Sequence, residues 1–224
     1  MTAMIEIEKV SKAYPSGRGV VKALCDISFS ISPGETLAIA GKSGSGKTTL
    51  LNCIGGLEYP DTGCIKCFGT DIHALSKKKL SLFQRQHMGF VFQFGNLLSF
   101  LNVEENIAFP LMLNKMYDRQ GRKDRIADLL ERTGLPDLAS AMPSELSGGE
   151  MQRIAFVRAI VHHPKILIAD EPTASLDTKT GSRLVELMFC LAKEEQCTII
   201  ISTHDQELIK LAGSVVNLLD GRQV

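Results

Sequence analysis

The chain has 224 residues, of which 44% are hydrophobic, so it is long and apolar enough for a large folded domain and is not a disordered protein. Basic and acidic residues both number 25, and with a formal net charge of zero no global field attracts nucleic acid or an anionic membrane. No apolar run approaches the ~18 residues that cross a bilayer, and the N-terminus lacks the pattern of a secretory signal, so we expect a cytosolic protein.

The first forty residues predict three strands. Apolar and polar residues alternate over 4–10 and again over 23–31, the pattern of half-buried strands, with turn-type residues at 14–17 between them. Pro33-Gly34 then turns the chain into a short, mostly apolar run at 36–40, which is typical of a buried strand.

A glycine-rich loop follows this third strand and precedes a predicted helix that ends near Gly55-Gly56. Its sequence, Gly41-Lys42-Ser43-Gly44-Ser45-Gly46-Lys47-Thr48, has the spacing G-x-x-x-x-G-K-[ST] of a phosphate-binding loop. In such a loop the backbone N–H groups face a polyphosphate, Lys47 reaches the β- and γ-phosphates, and the Thr48 hydroxyl coordinates Mg²⁺. An ordinary Gly/Ser turn is the alternative, but the strand–loop–helix context favours a nucleoside triphosphate site.

The rest of the chain predicts buried strands on either side of a helical insertion. A basic stretch at 74–87 is expected to be the solvated face of a helix, with contact to phosphate or lipid headgroups as the alternative. The pattern is helical from 94 to about 163. The predicted strands are 64–68, 89–92, 166–169, 197–202 and 215–219, and the predicted helices are 106–116, 122–132, 181–195 and 206–212.

Asp170 and Glu171 follow the buried strand at 166–169, at the end of a strand where α/β sheets bind ligands. Asp170 can hold a metal ion through water, and Glu171 can orient and deprotonate the water that attacks the γ-phosphate. A helix-capping acid pair before Pro172 is the alternative. The phosphate loop earlier in the chain favours the catalytic interpretation.

Leu146-Ser147-Gly148-Gly149-Glu150 opens another predicted helix, and Ser147 with Glu150 has the spacing of a capping box. A glycine-rich helix N-terminus is also an anion site, because its free N–H groups and the helix dipole both attract negative charge. This second site is unlike the first and about a hundred residues away from it. We therefore expect it to serve a nucleotide held by a partner protomer.

Two polar residues end predicted strands and could complete the site. His204 could contact the γ-phosphate or the attacking water, and Gln93 could sense the metal ion and that water. A structural histidine and a solvent-facing glutamine are the alternatives when each residue is considered alone.

These motifs, in this order, resemble those of the ATP-binding-cassette (ABC) ATPases over about residues 4–222. The matches are the Walker A loop (41–48), the Q-loop glutamine (Gln93), the LSGGQ-type signature (146–150, with Glu150 in the last place), Walker B with the catalytic glutamate (166–171), the D-loop (175–177), the switch histidine (His204) and an adenine-stacking aromatic (Tyr14). Soluble nucleic-acid machines of the same superfamily would need a coiled-coil insertion or a second cassette, which 224 residues do not provide.

The resemblance implies an α/β fold: a P-loop NTPase (RecA-like) core with an antiparallel β subdomain, made of residues 1–93 and 164–224, and an inserted α-helical signature subdomain at 94–163. It also assigns the site residues. ATP is expected to contact Tyr14, Gly41, Ser43, Gly44, Ser45, Gly46, Lys47, Thr48, Thr49, Asp170, Ser147, Gly148, Gly149 and Asp177; the expected Mg²⁺ ligands are Thr48, Gln93 and Asp170; and the expected catalytic residues are Glu171, His204 and Gln93.

The resemblance further implies a homodimer that closes head-to-tail on two ATP molecules and drives an integral-membrane permease through its coupling helices, without nucleic acid, on the inner face of the cell membrane. Details such as Phe90-Val91-Phe92-Gln93 look most like the lipoprotein-release, macrolide-export and cell-division subgroup. The expected function is export or extraction of a substrate, and the alternative is force transmission to an extracytoplasmic hydrolase without transport. Two residues depart from the subgroup's pattern. Lys42 replaces the usual proline, which adds a charge near the phosphates but leaves the loop spacing intact, and Met151 replaces the usual glutamine after the signature, which weakens a polar contact but not the helix.

Overall fold

The computed structural model describes residues 3–17 and 19–224, and within these ranges it contains ten β-strands and seven α-helices. The strands are β1 (Ile5–Ser16), β2 (Gly19–Ile31), β3 (Thr36–Ala40), β4 (Thr62–Cys67), β5 (Thr70–Asp71), β6 (Met88–Val91), β7 (Ile166–Asp170), β8 (Thr198–Thr203), β9 (Ser214–Leu219) and β10 (Arg222–Gln223). The helices are α1 (Lys47–Ile54), α2 (Lys77–His87), α3 (Val103–Leu113), α4 (Arg119–Arg132), α5 (Gly148–Ile160), α6 (Thr178–Glu194) and α7 (Gln206–Leu211).

The chain divides into two compact units, one formed by residues up to 84 together with 198–224 and the other by residues 85–197. The first unit contains an antiparallel sheet in the order β2-β1-β4-β5 and a second set of strands in the order β10-β9-β3-β8. Within that second set β3 runs parallel to both β8 and β9. Strand β8 is buried along its whole length, and β3 along all of it except Thr36, as expected for parallel strands covered on both faces.

The register of the parallel strands in the first unit brings two predicted motifs to one sheet edge. Ala40, the last residue of β3, pairs with Thr203, the last residue of β8. The phosphate loop begins directly after Ala40, and His204 directly follows Thr203. Since both strands point the same way, the loop and His204 leave the sheet at the same carboxyl edge.

The second unit repeats this arrangement with different residues. Strands β6 and β7 are parallel, and Val91 near the end of one pairs with Ala169 near the end of the other. Gln93 and Asp170 therefore emerge at the same edge.

Helix α5 packs directly on β6. The contact is so close that a Cβ atom at Gly89 would lie 2.1 Å from the carbonyl oxygen of Ala159. Only glycine allows this close approach without displacing the backbone.

The first hairpin differs from the prediction. Tyr14, Pro15 and Ser16, predicted as a turn, belong to β1 and pair with Val21, Val20 and Gly19 of β2. A proline is tolerated here because the pairing of β1 with β4 ends at Ser11, so the far side of β1 at Pro15 needs no ladder hydrogen bond. The remaining predicted strands and helices are confirmed with shifts of a few residues at their ends, while the short strands β5 and β10 were not predicted.

Helix α3 shows why one predicted boundary was wrong. The helix begins at Val103 and ends at Leu113, whereas the apolar spacing predicted 106–116. Asn102 caps it by accepting from the backbone N–H of Glu105 at 2.8 Å, and the Glu105 carboxylate accepts from the Asn102 N–H at 2.9 Å. This reciprocal capping box is readable in the sequence and locates the N-terminus better than hydrophobic periodicity does.

A chain of polar contacts ties three segments of the second unit together. The Glu195 carboxylate, just after α6, accepts from Arg125 of α4 at 2.7 Å and also contacts Nδ1 of His163. On the other side of the ring, Nε2 of His163 lies 2.7 Å from the hydroxyl of Tyr117. Burial raises the pKa of Glu195, but the hydrogen bonds with His163 and Arg125 outweigh it and hold the pKa below its usual value.

We therefore expect Glu195→Gln to lower the free energy of unfolding at pH 7 by about 1–2 kcal/mol, because Arg125 loses a charged partner. A carboxyl with a lowered folded pKa stabilises the protein above its unfolded pKa, and this stability is lost as the pH falls through the folded value. The difference between variant and parent should thus shrink below about pH 4.5. Urea unfolding across this pH range measures it.

Glu194→Gln is the matched control, because Glu194 pairs with Arg132 at a more exposed position, where ion pairs contribute little. Equal losses for the two variants, or a loss for Glu195→Gln that does not depend on pH, would contradict the role assigned to this contact.

Candidate nucleotide site

The phosphate loop has a backbone that only glycine adopts without strain. Gly44 and Gly46 have φ angles of +79° and +104°. A Cβ at Gly46 would lie 2.3 Å from the carbonyl oxygen of Ala23 in β2, and one at Gly41 would lie 2.5 Å from that of Leu218 in β9. The glycines of the motif are therefore required by the close approach of neighbouring strands as well as by the turn.

Lys47 keeps the loop in shape. Its Nζ donates to the carbonyl oxygens of Gly41 at 2.9 Å and Lys42 at 3.1 Å, and the residue is buried. The loop is closed further by the N–H of Ser45, which donates to the Lys42 carbonyl at 3.2 Å, and by the N–H of Gly221, which donates to the Ser45 carbonyl at 3.1 Å. A fixed ammonium group is thus surrounded by a tightly turned backbone.

Two observations indicate that the loop suits an anion. The Ser45 hydroxyl is buried, and no hydrogen-bond partner is found for it within residues 3–17 and 19–224. Gly46 caps α1 without a side chain, and the first turn of α1 carries no acidic residue. A buried donor and an uncapped helix N-terminus are both satisfied by phosphate oxygens. The Thr48 hydroxyl in this turn is the kind of oxygen donor that Mg²⁺ prefers.

The second unit presents its carboxylates on a strained turn. Asp170 and Glu171 are both half-buried, and Glu171 has a φ of +42°, in the left-handed region that glutamate rarely adopts. The turn continues through hydrogen bonds from the Ala174 N–H to the Glu171 carbonyl and from the Leu176 N–H to the Thr173 carbonyl. Such strain persists where the surrounding structure fixes a side chain in place, which is common at catalytic positions.

Helix α5 braces the loop that carries Gln93. Nε2 of Gln152 donates to the Phe92 carbonyl at 2.9 Å, and the guanidinium of Arg158 donates to the carbonyls of Gly95 at 2.9 Å and Asn96 at 2.8 Å. Burial lowers the pKa of the Arg158 side chain, as expected for a cation withdrawn from water. Sequence reasoning missed both bracing residues, because no local pattern links a helix to a loop some sixty positions away.

The capping box predicted at the start of α5 is confirmed. The Glu150 carboxylate accepts from the Ser147 N–H at 2.8 Å and from the Ser147 hydroxyl at 2.7 Å. These hydrogen bonds lower the pKa of Glu150. At Gly149 a Cβ atom would approach the Thr180 methyl group to 3.1 Å, so the signature packs closely on the first turn of α6. Asp177 caps α6 by accepting from the Thr180 N–H at 3.0 Å.

The predicted site residues thus fall into two groups, one in each unit. The first unit contains Tyr14 on β1, Gly41, Ser43, Gly44, Ser45 and Gly46 in the loop, Lys47, Thr48 and Thr49 in the first turn of α1, and His204 after β8. The second unit contains Gln93 after β6, Ser147, Gly148 and Gly149 at the start of α5, Asp170 and Glu171 at the end of β7, and Asp177 at the start of α6.

A family profile described as an ABC transporter matches residues 24–174, which span the phosphate loop, Gln93, the signature and the Asp170-Glu171 pair. The chain belongs to the ABC transporter family. It is an ATP-binding subunit of the LolD and MacB type, and an ATPase.

Curated relatives of the cassette cover almost the whole chain. The lipoprotein-releasing system ATP-binding protein LolD 2 of Chlorobaculum tepidum is 41% identical, over 98% of this chain and 91% of its own length. LolD of Bdellovibrio bacteriovorus is 42% identical, over 95% and 96%. The macrolide export ATP-binding/permease protein MacB of Salmonella choleraesuis is 39% identical over the whole chain, which spans 34% of that longer protein.

Solved structures confirm the predicted fold class. The ATP-binding cassette MJ0796, in a dimeric post-hydrolysis state bound to ADP and Pi, is similar with a TM-score of 0.91 and 34% identity, covering 99% of this chain and 98% of that chain. The structure of cbiO1 from Clostridium perfringens gives a TM-score of 0.86 at 31% identity, covering 100% of this chain and 88% of that chain.

The bracing of the Gln93 loop generates a prediction for Arg158. We expect Arg158→Lys to lower the ATP hydrolysis rate several-fold and to change ATP affinity little, because one ammonium group cannot reach both carbonyl oxygens as the guanidinium fork does. Steady-state ATPase assays and equilibrium nucleotide titrations measure the two effects. Arg119→Lys, at an exposed position on α4, is the control. An unchanged rate for Arg158→Lys would show that the brace has no part in turnover.

Proposed function

We propose that two copies of this ABC ATPase close head-to-tail on two ATP molecules, and that closure and hydrolysis drive a membrane permease in the export or extraction of a substrate. The observation that carries the proposal is the phosphate loop: left-handed glycines, a buried lysine and a buried hydroxyl without a partner among the described residues. The signature at Ser147–Gly149 is a second glycine-rich helix N-terminus, suited to a nucleotide on another protomer. The relative MJ0796, dimeric with ADP and Pi, supports this arrangement.

The hydrolysis step can be assigned to residues of this chain. The phosphate loop and Lys47 bind and orient the triphosphate, and Glu171 accepts a proton from the water that attacks the γ-phosphorus. The new P–O bond forms as the bond to the β-phosphate oxygen breaks, which releases ADP and phosphate. His204 and Gln93 orient the γ-phosphate and the water. Thr48, Gln93 and Asp170 would hold Mg²⁺, which when bound neutralises charge on the phosphates.

The permease is proposed to dock on the second unit near Gln93. Phe94 and Phe100 are 71% and 75% exposed, and Met112 of α3 is 59% exposed. Asn106 of α3 ties this loop to the helix, since its side chain accepts from the Leu98 N–H at 2.8 Å and donates to the Leu101 carbonyl at 2.9 Å. Exposed aromatic and methionine side chains are typical of an interaction surface for an apolar partner helix.

The names of the relatives support a membrane partner. LolD belongs to a lipoprotein-releasing system, and MacB carries its cassette in the same chain as a permease. In the part of the chain that the structure describes, every helix is too short or too polar to cross a bilayer. We propose attachment to the inner face of the cell membrane through a membrane permease. We also propose 94–163 as the helical signature subdomain and 1–93 with 164–224 as the nucleotide-binding core.

Glu171→Gln tests the catalytic assignment. We expect ATP hydrolysis to fall by roughly 10²- to 10⁴-fold, the contribution of a general base, while ATP still binds and the dimer accumulates. Phosphate release and ATP-dependent size-exclusion chromatography measure both effects. Glu131→Gln, exposed on α4, is the control. Turnover at the parent rate would remove Glu171 as the base, and a monomer at every ATP concentration would remove the proposed dimer.

The trapped variant also identifies the partner. Tagged Glu171→Gln protein would be purified from detergent-solubilised membranes with ATP, with Lys47→Ala as the control that lacks nucleotide-dependent closure. A few-helix permease with a large extracytoplasmic domain supports export or extraction. An accompanying extracytoplasmic hydrolase would favour force transmission instead, and recovery of soluble proteins alone would overturn the membrane assignment.

A further inference from the structure

Lys12 on β1 is held in a fixed position by the turn that follows α1. Its Nζ lies 2.7 Å from a carboxylate oxygen of Glu58 and 3.3 Å from one of Asp61, and it donates to the Tyr59 carbonyl at 2.7 Å. The side chain is only 11% exposed. The hydrogen bond with Glu58 raises the pKa of Lys12 despite the opposing effect of burial, so this group stays cationic at neutral pH.

The same ammonium group lies over the ring of Tyr14, 5.4 Å from the ring centroid. This distance is within the range of a cation–π contact. Tyr14 itself is 36% exposed, close to the free end of the β1–β2 hairpin. One face of the ring is thus covered by a positive charge, while a large part of the residue remains open to solvent.

The turn that holds Lys12 also connects the tyrosine to the phosphate loop. The N–H groups of Leu57 and Glu58 donate to the carbonyl of Asn52 in α1 at 2.8 and 3.1 Å. Asp61 then accepts from the Ala13 N–H at 2.7 Å, next to Tyr14. Helix α1 starts in the phosphate loop. Hydrogen bonds therefore lead from the end of this helix, through the turn, to Lys12 and Ala13, the two residues before Tyr14.

We propose that Lys12 is a positioning residue for the nucleotide base, which stacks on the face of Tyr14 opposite the ammonium group. This inference rests on the proposed ATP site and on Tyr14 as its base-stacking residue. A cation on one face draws π-electron density from the ring and makes the other face a better stacking surface for a purine. It also restricts the ring in advance, which lowers the entropy cost of stacking.

Lys12 should therefore affect the base-dependent part of the affinity and leave the phosphate-dependent part unchanged. We expect Lys12→Met, which keeps the length of the side chain but removes its charge, to weaken ATP binding by about three- to tenfold. Binding of inorganic tripolyphosphate, which has no base, should not change. Lys12→Arg should restore ATP affinity, because arginine keeps the cation and stacks well on aromatic rings.

The chain provides a matched control in Lys66. This lysine is on β4 of the same sheet, and its ammonium group pairs with Glu8 at 3.1 Å. Lys66→Met should leave both affinities unchanged. A double-mutant cycle completes the test: in a Tyr14→Ala background, Lys12→Met should cause no further loss of ATP affinity. Thermal unfolding of each variant shows whether the fold is maintained.

The proposal is overturned if Lys12→Met weakens the binding of ATP and of tripolyphosphate equally, or if its effect adds in full to that of Tyr14→Ala. It is also overturned if Tyr14→Ala leaves ATP affinity unchanged while Lys47→Ala lowers the affinity for both ligands. In that last case the proposed ATP site would stand and the base would lie elsewhere. If Lys47→Ala changed neither affinity, the proposed ATP site itself would be wrong.

Discussion

The hydrogen bonds from Lys47 to the carbonyl oxygens of Gly41 and Lys42 are the interaction on which the rest of the site depends. They draw the two ends of the loop together, so that its N–H groups can converge on one small volume. The floor of the loop is formed by carbonyls of β2 and β9, which leave no space for side chains at Gly46 and Gly41. The loop is thus packed against the sheet, and the neighbouring strands require glycine at these two positions.

Helix α5 has a comparable position in the second unit. Its first turn carries the signature, whose Gly149 packs on Thr180 near the start of α6. Its middle and last turns hold the Gln93 loop through Gln152 and Arg158. Three motifs that are far apart in the sequence are therefore attached to a single helix. A rotation of α5 would move all three together, a mechanical link that the separate motifs do not reveal.

Much of this architecture could be predicted from the sequence, because its signals are local. The phosphate loop has a strict spacing, the parallel strands are continuous apolar runs, and the capping box at Ser147 lies within four residues. What could not be predicted depends on distant partners. Pro15 remains in a strand because β1 has lost its β4 neighbour there, and Lys12 is held by a turn nearly fifty residues away. The left-handed backbone of Glu171 leaves no trace in the sequence.

The capping box of Ser147 and Glu150 at the start of α5 has a consequence for the release of a nucleotide. The Ser147 hydroxyl already donates its single proton to Glu150. Under the proposed closure, a γ-phosphate oxygen would replace the Glu150 carboxylate as the acceptor of this hydrogen bond. The number of hydrogen bonds made by the hydroxyl would stay the same. The contact is then an exchange of one anionic acceptor for another. Release of the nucleotide would restore the hydrogen bond with Glu150, so the hydroxyl would have an acceptor in both states of the cycle.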